Sequence, residues 1–223
     1  MILLENVLYR NLDIKTLSIG PGIISIIGRN GSGKTSLLKL CAGIAVPEAG
    51  VISIDGNSPR LTSVGWVNEF PDRNFLFDTV ADEIASPLRF RHLPPIEIDT
   101  RAAEIMERFG IARLSSRSVR ELSGGEKVLI ALAAAMVTGP HALILDECDS
   151  HLDAKCTETI QEILRCSKIP YILRSTQDME TAAGSDQVVF LERGRALFSG
   201  KPETVFSALE ETPFYPMTWR CRQ

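Results

Sequence analysis

A glycine-rich segment that ends in a lysine and a threonine has the spacing of a phosphate-binding loop. Residues 28–36 read G-R-N-G-S-G-K-T-S, which fits the pattern G-x-x-x-x-G-K-[ST]. Its glycines let the backbone approach an anion closely and turn N–H groups inward. The ammonium group of Lys34 can reach the outer phosphates of a nucleotide, and the hydroxyl of Thr35 can ligate Mg²⁺. The predicted nucleotide-binding residues are Gly28, Arg29, Asn30, Gly31, Ser32, Gly33, Lys34, Thr35 and Ser36.

Two adjacent carboxylates follow an apolar run farther along the chain. Asp146 and Glu147 come directly after the sequence A-L-I-L at residues 142–145, which predicts a buried strand. Ligands of open α/β sheets bind at the carboxyl ends of the strands. We expect Asp146 to contribute to the Mg²⁺ shell and Glu147 to orient or deprotonate a water that attacks a γ-phosphate. An acidic pair after an apolar run also occurs by chance, and the upstream loop is what makes this pair informative.

A third motif, S-G-G-E at residues 123–126, has two interpretations. Ser123 and Glu126 have the spacing of a capping box, in which each side chain bonds to the backbone N–H of the other. A capping box does not need Gly124 and Gly125, and two glycines in a first helical turn cost about 1 kcal/mol each relative to alanine. That cost predicts a close approach to the backbone, and an anion at the helix N-terminus would fit.

The residues around these motifs predict alternating strands and helices. Strands are predicted at residues 23–27, 51–54, 64–67, 142–145, 171–173, 187–191 and 196–198. Helices are predicted from Lys34 to Gly43, over 127–137, over 153–166 and from Pro202 onward. Such alternation is typical of an α/β fold with a mainly parallel sheet covered by helices.

The region before the first central strand predicts one or two edge strands. Residues 2–20 alternate loosely between apolar and polar types and lead into the turn sequence G-P-G at 20–22. Tyr9 lies in this region and has two interpretations. It is either an ordinary half-buried strand tyrosine or a platform on which an adenine ring stacks.

Residues 71–121 differ in character from the rest of the chain. Prolines divide this segment into short helical pieces, and no strand pattern occurs in it. Asp99 is expected to cap a helix that ends at Gly110. We therefore expect a single domain over residues 1–223 with a helical insert at 71–121.

The composition excludes several classes of protein. The chain has 223 residues, is 44% hydrophobic and carries a net charge of −4, so no nucleic-acid partner is expected. Its longest nearly unbroken apolar run, residues 128–137, is too short to cross a bilayer, and the N-terminus lacks the layout of a signal peptide. We expect a membrane role only through a partner. The five cysteines show no C-x-x-C spacing and predict free thiols in a reducing cytoplasm.

The order of these motifs resembles that of the nucleotide-binding subunit of an ATP-binding-cassette (ABC) transporter over essentially the whole chain. Residues 28–36 resemble the Walker A motif, and residues 122–126 resemble the family signature. Residues 143–147 resemble Walker B with its catalytic glutamate, and residues 150–153, S-H-L-D, resemble the D-loop. The signature is the most family-specific of the four.

The resemblance implies a P-loop NTPase (RecA-like) core with an N-terminal antiparallel β region and a helical subdomain. It implies an ATPase that binds ATP and Mg²⁺ and pairs head to tail with a second ATPase subunit, either identical or a paralogue. Such a dimer drives a transmembrane transporter subunit from the cytoplasmic face of the membrane. Ser123 and Gly125, within the signature residues Ser123, Gly124, Gly125 and Glu126, would contact ATP bound by the partner, and Asp153 would belong to the D-loop.

Two positions depart from the family pattern. Glu69 stands where the family has the Q-loop glutamine, and Gln177 stands where the family has the switch histidine. Glu69 could still ligate Mg²⁺, but it places a negative charge near phosphates. Gln177 can donate an amide hydrogen bond to a γ-phosphate oxygen, but it cannot become cationic or exchange a proton as histidine does.

A second resemblance concerns the direction of transport. Residues 68–74, N-E-F-P-D-R-N, are similar to the corresponding part of energy-coupling-factor type import ATPases, which power uptake of vitamins or of cobalt and nickel ions. Uptake of a small solute is therefore expected. Two alternatives stay open: a nucleotide-gated dimer clamp with slow hydrolysis, motivated by Glu69 and Gln177, and a soluble ABC ATPase that acts outside transport.

Overall fold

A three-stranded antiparallel sheet forms the N-terminal part of the protein. The structure is a computed structural model and describes residues 1–148, 150 and 152–220, without the side chain at position 72. Strand β1 (Ile2–Tyr9) lies between β2 (Leu12–Ile19) and β4 (Ala49–Ile54) and runs antiparallel to both. The strands predicted within residues 2–20 and at 51–54 are confirmed and form one sheet. Of the two strands within 2–20, β2 lies at an edge as predicted, whereas β1 is the central strand.

A six-stranded, mainly parallel sheet carries the strand ends at which ligands are expected. Its order is β5-β6-β7-β3-β8-β9, and β9 is the antiparallel edge strand. The strands are β3 (Gly22–Ile27), β5 (Val64–Val67), β6 (Ala142–Asp146), β7 (Tyr171–Ser175), β8 (Gln187–Glu192) and β9 (Arg195–Gly200). Strand β7 lies between β3 and β6 and is parallel to both, so the carboxyl ends of all three strands lie at the same edge. The predicted α/β fold class is confirmed.

The helices follow the predicted alternation. They are α1 (Lys34–Cys41), α2 (Val80–Phe90), α3 (Pro95–Arg108), α4 (Gly124–Met136), α5 (Ala154–Arg165), α6 (Met179–Ala183), α7 (Pro202–Ser207) and α8 (Met217–Arg220). Helices α2 and α3, with short 3₁₀ turns, account for the regular structure of the segment 71–121. None of the helices in the described part of the chain combines the length and the apolar character needed to span a bilayer.

The expectation that Asp99 caps a helix is wrong. Helix α3 begins four residues earlier, at Pro95, with Pro94 in the capping position. Proline fixes φ at a helical value and lacks the N–H that a first helical turn leaves unpaired, so it starts a helix well. Asp99 therefore lies inside the helix rather than at its N-terminus.

Apolar side chains fill both faces of the large sheet. In β6, Leu143 and Leu145 pack into a cluster with α2, α3, α4 and α5, whereas Ala142 and Ile144 pack against α1 and the N-terminal sheet. This division follows from the two-residue period of a strand, and burial on both faces explains the uninterrupted apolar run at 142–145. Cys41, Cys156 and Cys166 carry free thiols, as predicted, and Cys221 lies outside the described residues.

A smaller aromatic cluster attaches the C-terminal segment to the sheet. Phe206 is fully buried, and its ring lies 5.5 Å from that of Trp219.

We expect Phe206→Ala to lower the free energy of unfolding by about 3–5 kcal/mol, because the truncation leaves a cavity in a closed core. Urea denaturation measures this change. Phe90→Ala is the matched control, since Phe90 is 63% exposed, and an equal loss in both variants would contradict the prediction.

Candidate nucleotide-binding site

The glycine-rich loop connects β3 to α1 and owes its shape to its glycines. Gly28 and Gly33 have φ values of +147° and +107°, and neighbouring atoms leave no room for a side chain at either position. A Cβ on Gly28 would lie 2.2 Å from the carbonyl oxygen of Leu191, and one on Gly33 would lie 2.5 Å from a methyl carbon of Leu12. Gly31, with φ +80°, faces open space. Packing therefore requires two of the glycines, and backbone conformation requires the third.

Lys34 lies at the centre of the site. Its side chain is only 5% exposed, and its ammonium nitrogen is 3.0 Å from the carbonyl oxygen of Gly28. The same nitrogen is 3.1 Å from Oε1 of Glu147, so the predicted phosphate-binding cation and the predicted catalytic carboxylate form an ion pair. A buried cation with two acceptors is held in place and needs no large movement to meet an anion in the loop.

The strand order brings Thr35 and Asp146 together. Asp146 ends β6, and its Oδ1 accepts hydrogen bonds from the hydroxyl of Thr35 at 3.1 Å and from that of Ser175 at 2.7 Å. Ser175 ends β7 and pairs with Asp146 in the sheet register. Its hydroxyl oxygen also accepts from the backbone N–H of Glu147 at 3.0 Å. The sequence did not single out Ser175, which sits in the middle of this network.

Gln177 holds the second oxygen of the Glu147 carboxylate. Its amide nitrogen donates to Oε2 of Glu147 at 2.7 Å and to Oδ1 of Asn30 at 3.3 Å. Glu147 has φ +49°, a left-handed conformation that is uncommon for a residue with a side chain. Both oxygens of Glu147 are thus engaged, one by Lys34 and one by Gln177.

These groups line one cavity of about 400 Å³. Its lining consists of Asn11, Asn30, Gly31, Gly33, Lys34, Thr35, Ser36, Glu69, Asp146, Glu147 and Gln177. Glu69 is exposed and lines the same cavity as Asp146 and Glu147. Polar and charged groups dominate the lining, which suits a highly charged ligand such as a polyphosphate.

Some predicted loop residues lie outside the cavity. Gly28, Arg29 and Ser32 are not part of its lining. Ser32 is 4% exposed, and its hydroxyl oxygen has no hydrogen-bond partner among the described residues. Its backbone is nevertheless well supported, since its N–H donates to the carbonyl of Arg29 and its carbonyl accepts from the N–H of Gly194.

Tyr9 does not line the cavity either, although its hairpin does reach the site. The ring of Tyr9 is half-buried against the core, and the guanidinium carbon of Arg10 lies 5.2 Å from its centroid. Asn11, two residues on, is the lining residue, and its amide donates to the carbonyl of Gly31 at 3.0 Å. The turn between β1 and β2 was the available signal for Asn11. Stacking of adenine on Tyr9 stays a prediction.

The S-G-G-E motif starts α4 as a complete capping box. The N–H of Glu126 donates to the hydroxyl of Ser123 at 3.3 Å, and the N–H of Ser123 donates to Oε2 of Glu126 at 3.1 Å. This hydrogen bond from the Ser123 backbone, with help from Arg113 at 3.1 Å, lowers the pKa of Glu126 below its ordinary value. The capping interpretation is thus confirmed, and the described cavity contains none of the four signature residues.

The segment that resembles a D-loop leads into α5. Asp153 is the N-cap of this helix, and its carboxylate accepts from the N–H of Cys156 at 2.8 Å. Ser150 donates to the carbonyl of Glu147 at 2.9 Å, which connects the segment to the residue that follows β6. His151 lies outside the described residues.

Comparisons with known proteins identify the family to which the chain belongs. A model of the ABC transporter family matches residues 12–150, more than half of the 223-residue chain. The chain is 35% identical to the biotin transport ATP-binding protein BioM of Rhizobium etli, over 82% of this chain and 84% of that protein. It is 33% identical to the energy-coupling factor transporter ATP-binding protein EcfA1 of Enterococcus faecalis, over 84% of this chain and 71% of the relative.

A solved structure gives the same result at the level of the fold. The structure of cbiO1 from Clostridium perfringens, part of the ABC transporter complex cbiONQ, superposes with a TM-score of 0.84 at 26% identity. The match covers 94% of this chain and 93% of the other. The chain belongs to the ABC transporter family and is an ATP-binding cassette ATPase of that family.

Proposed function

We propose that this ATPase powers uptake of a small solute of the vitamin class by a membrane transporter. The observation that carries the proposal is the convergence of Lys34, Thr35, Asp146 and Glu147 in one cavity. This arrangement places a phosphate-binding lysine beside a carboxylate that could activate water for hydrolysis. The relatives named for biotin transport and for energy-coupling factor transport support the direction and the class of solute. They give no support to a slow clamp or to a role outside transport.

The oxygen atoms near Thr35 and Asp146 fit Mg²⁺. Hydroxyl and carboxylate oxygens are the hard donors that Mg²⁺ prefers, and the ion takes one or two protein carboxylates with phosphates and water completing its shell. Thr35 and Asp146 would hold the ion, with Glu69 on the cavity wall as a third candidate. When bound, Mg²⁺ would neutralise charge on the β- and γ-phosphates.

Lys34 and Glu147 would separate when nucleotide binds. The ammonium of Lys34 would exchange the carboxylate of Glu147, 3.1 Å away, for phosphate oxygens, while the loop N–H groups bind the remaining oxygens. The freed Oε1 of Glu147 could then accept a proton from an attacking water. Gln177 would keep Glu147 oriented through Oε2 or donate to the γ-phosphate. Phosphoryl transfer needs positioning and electrostatic stabilisation more than covalent help from the protein.

The second half of the site would come from another subunit. The signature residues Ser123 and Gly125 lie outside the cavity that contains Lys34, and Gly124 faces open space at the start of α4. In a head-to-tail dimer this helix N-terminus would meet the γ-phosphate bound by the partner, where its dipole favours an anion. A transmembrane subunit would supply the membrane span and hold the dimer peripherally at the cytoplasmic face.

Isolation of the native complex tests this proposal. A tagged chain is recovered with its native membrane fraction, identified by mass spectrometry, and reconstituted in vesicles with a panel of labelled vitamins that includes biotin. We expect co-purified membrane protein and ATP-dependent accumulation of one vitamin, lost in the Lys34→Ala complex. Recovery of RNA without membrane protein, or ATP hydrolysis with no accumulation of any vitamin, would refute the proposal.

Substitution of Gln177 by histidine tests the role of its amide. Glutamine has no titratable group, whereas histidine has an unperturbed pKa of about 6.5. We expect Gln177→His to introduce a pH-dependent limb between about pH 6 and 7.5 in the ATPase rate that the natural chain lacks. Steady-state ATPase assays of the complex across this range measure it. Identical pH profiles for the two proteins would show that residue 177 does not contact the reacting groups.

A further inference from the structure

The two glycines of the S-G-G-E motif have different surroundings. A Cβ built on Gly124 meets no atom within 4 Å. A Cβ built on Gly125 would lie 3.0 Å from Sγ of Cys156 and 3.6 Å from its Cβ, with a methyl carbon of Leu152 at 4.0 Å. Contacts of 3.0 Å between carbon and sulfur are too short for undisturbed packing. Gly125 is therefore in contact with the chain's own α5, and Gly124 is not.

The surroundings of Cys156 restrict the movement of its side chain away from Gly125. Cys156 lies in the first turn of α5, where its N–H is bonded to the carboxylate of the N-cap Asp153. The thiol is half-buried and packs with Leu152 against the large core cluster. Burial, followed by the nearby Asp153 carboxylate, raises the pKa of the Cys156 thiol, so the group packs as a small neutral side chain.

We propose that Gly125 is a packing joint through which α5 positions the signature of its own chain. The first turn of α4 presents the signature, and the first turn of α5 directly follows the segment that resembles the D-loop. Contact at Gly125 ties the two turns together, so neither can shift by the width of a methyl group without displacing the other. On this view Gly125 is a glycine because of Cys156 and Leu152, whereas Gly124 is open to a ligand or a partner. The functional part of the inference rests on the proposed role of the signature.

A double-substitution cycle tests the joint. We expect Gly125→Ala to lower the ATPase kcat of the complex by roughly tenfold, since small misplacements of binding groups cost rate steeply. The affinity of the chain's own cavity for Mg-ATP should stay within about twofold of the natural value, because the signature lies outside it. Adding Cys156→Ala should restore kcat to within about threefold, by returning the volume that the new methyl group needs.

Gly124→Ala provides the matched control. Its methyl group would enter open space in the same helical turn, so any loss of kcat should persist unchanged when Cys156→Ala is added. Cys156→Ala alone loosens the contact without inserting a group, so it should lower kcat by less than Gly125→Ala does. If Gly125→Ala fails to fold, Cys156→Met enlarges the same contact from the other side and should reproduce the defect.

The outcomes separate this inference from the proposed function. If Cys156→Ala leaves the Gly125→Ala defect unchanged, or rescues Gly124→Ala equally, the joint does not exist. The joint can also be tested without an activity assay. The urea-denaturation midpoints of the two single variants and the double variant give the coupling between residues 125 and 156. A retained coupling in a chain that neither binds ATP nor joins a membrane complex would uphold the joint and refute the function.

Discussion

Replacement of Lys34 by alanine is expected to weaken Mg-ATP binding by about 10²-fold or more. The substitution removes the cation that would pair with the phosphates, and truncating one partner of a buried, hydrogen-bonded charge pair costs roughly 2–5 kcal/mol. Lys34 is 5% exposed and already makes two close polar contacts, so its ammonium is held where the phosphates would lie. Its loss would also leave the carboxylate of Glu147 unpaired beside the incoming phosphates. Isothermal titration with Mg-ATP measures the change.

Lys15→Ala is the appropriate control for this variant. Lys15 belongs to β2 and its side chain is 82% exposed, so its removal changes the net charge equally without touching the cavity. Its affinity for Mg-ATP should match that of the natural chain. Full affinity in Lys34→Ala would contradict the assignment of the glycine-rich loop as the phosphate-binding site.

The parts of the site that adjoin in sequence could be predicted with little ambiguity. The loop at 28–36 is a strand, a turn and a helix in succession, so its residue types define its shape locally. The pairing of Thr35 with Asp146, 111 residues apart, followed from a general rule, because parallel strands collect their carboxyl ends at one edge. Both residues could be assigned to one edge of the sheet without knowledge of the strand order, although that order is what brings them within hydrogen-bond distance in the structure.

The contacts that depend on strand order and side-chain direction could not be predicted. Ser175 reaches Asp146 only because β7 lies beside β6, and no spacing in the sequence specifies that order. The bridge from Gln177 to both Glu147 and Asn30 depends in addition on side-chain rotamers. Alignment with a family pattern identified Gln177 as a candidate, but not its two partners.

Gly125 shows how one sequence signal can have two physical causes. The cost of glycine in a first helical turn correctly predicted a close approach to the backbone. The sequence suggested an anion, whereas the neighbour present in the structure is Cys156 of α5. A thiol 31 residues away gives no local signal, so only the packing of α4 against α5 reveals it. The open surroundings of Gly124 leave the anion interpretation for that half of the motif.

Glu147→Gln is expected to lower turnover by about 10²-fold or more while strengthening the binding of a non-hydrolysable ATP analogue by about threefold to tenfold. Turnover falls because an amide cannot accept the proton of the attacking water. Affinity rises because the resting ion pair with Lys34, 3.1 Å long, competes with the phosphates for the same ammonium. A neutral amide competes less, and it also repels the phosphates less.

Two measurements examine these opposite effects separately. Single-turnover hydrolysis in the intact complex reports the chemical step, and titration with the analogue reports the release of Lys34. Glu203→Gln, at an exposed position in α7, controls for the loss of one negative charge and should change neither quantity. Unchanged turnover in Glu147→Gln would remove Glu147 from catalysis. Lower turnover without tighter binding would mean that the ion pair does not oppose nucleotide, and that Lys34 meets the phosphates while still bonded to the carboxylate.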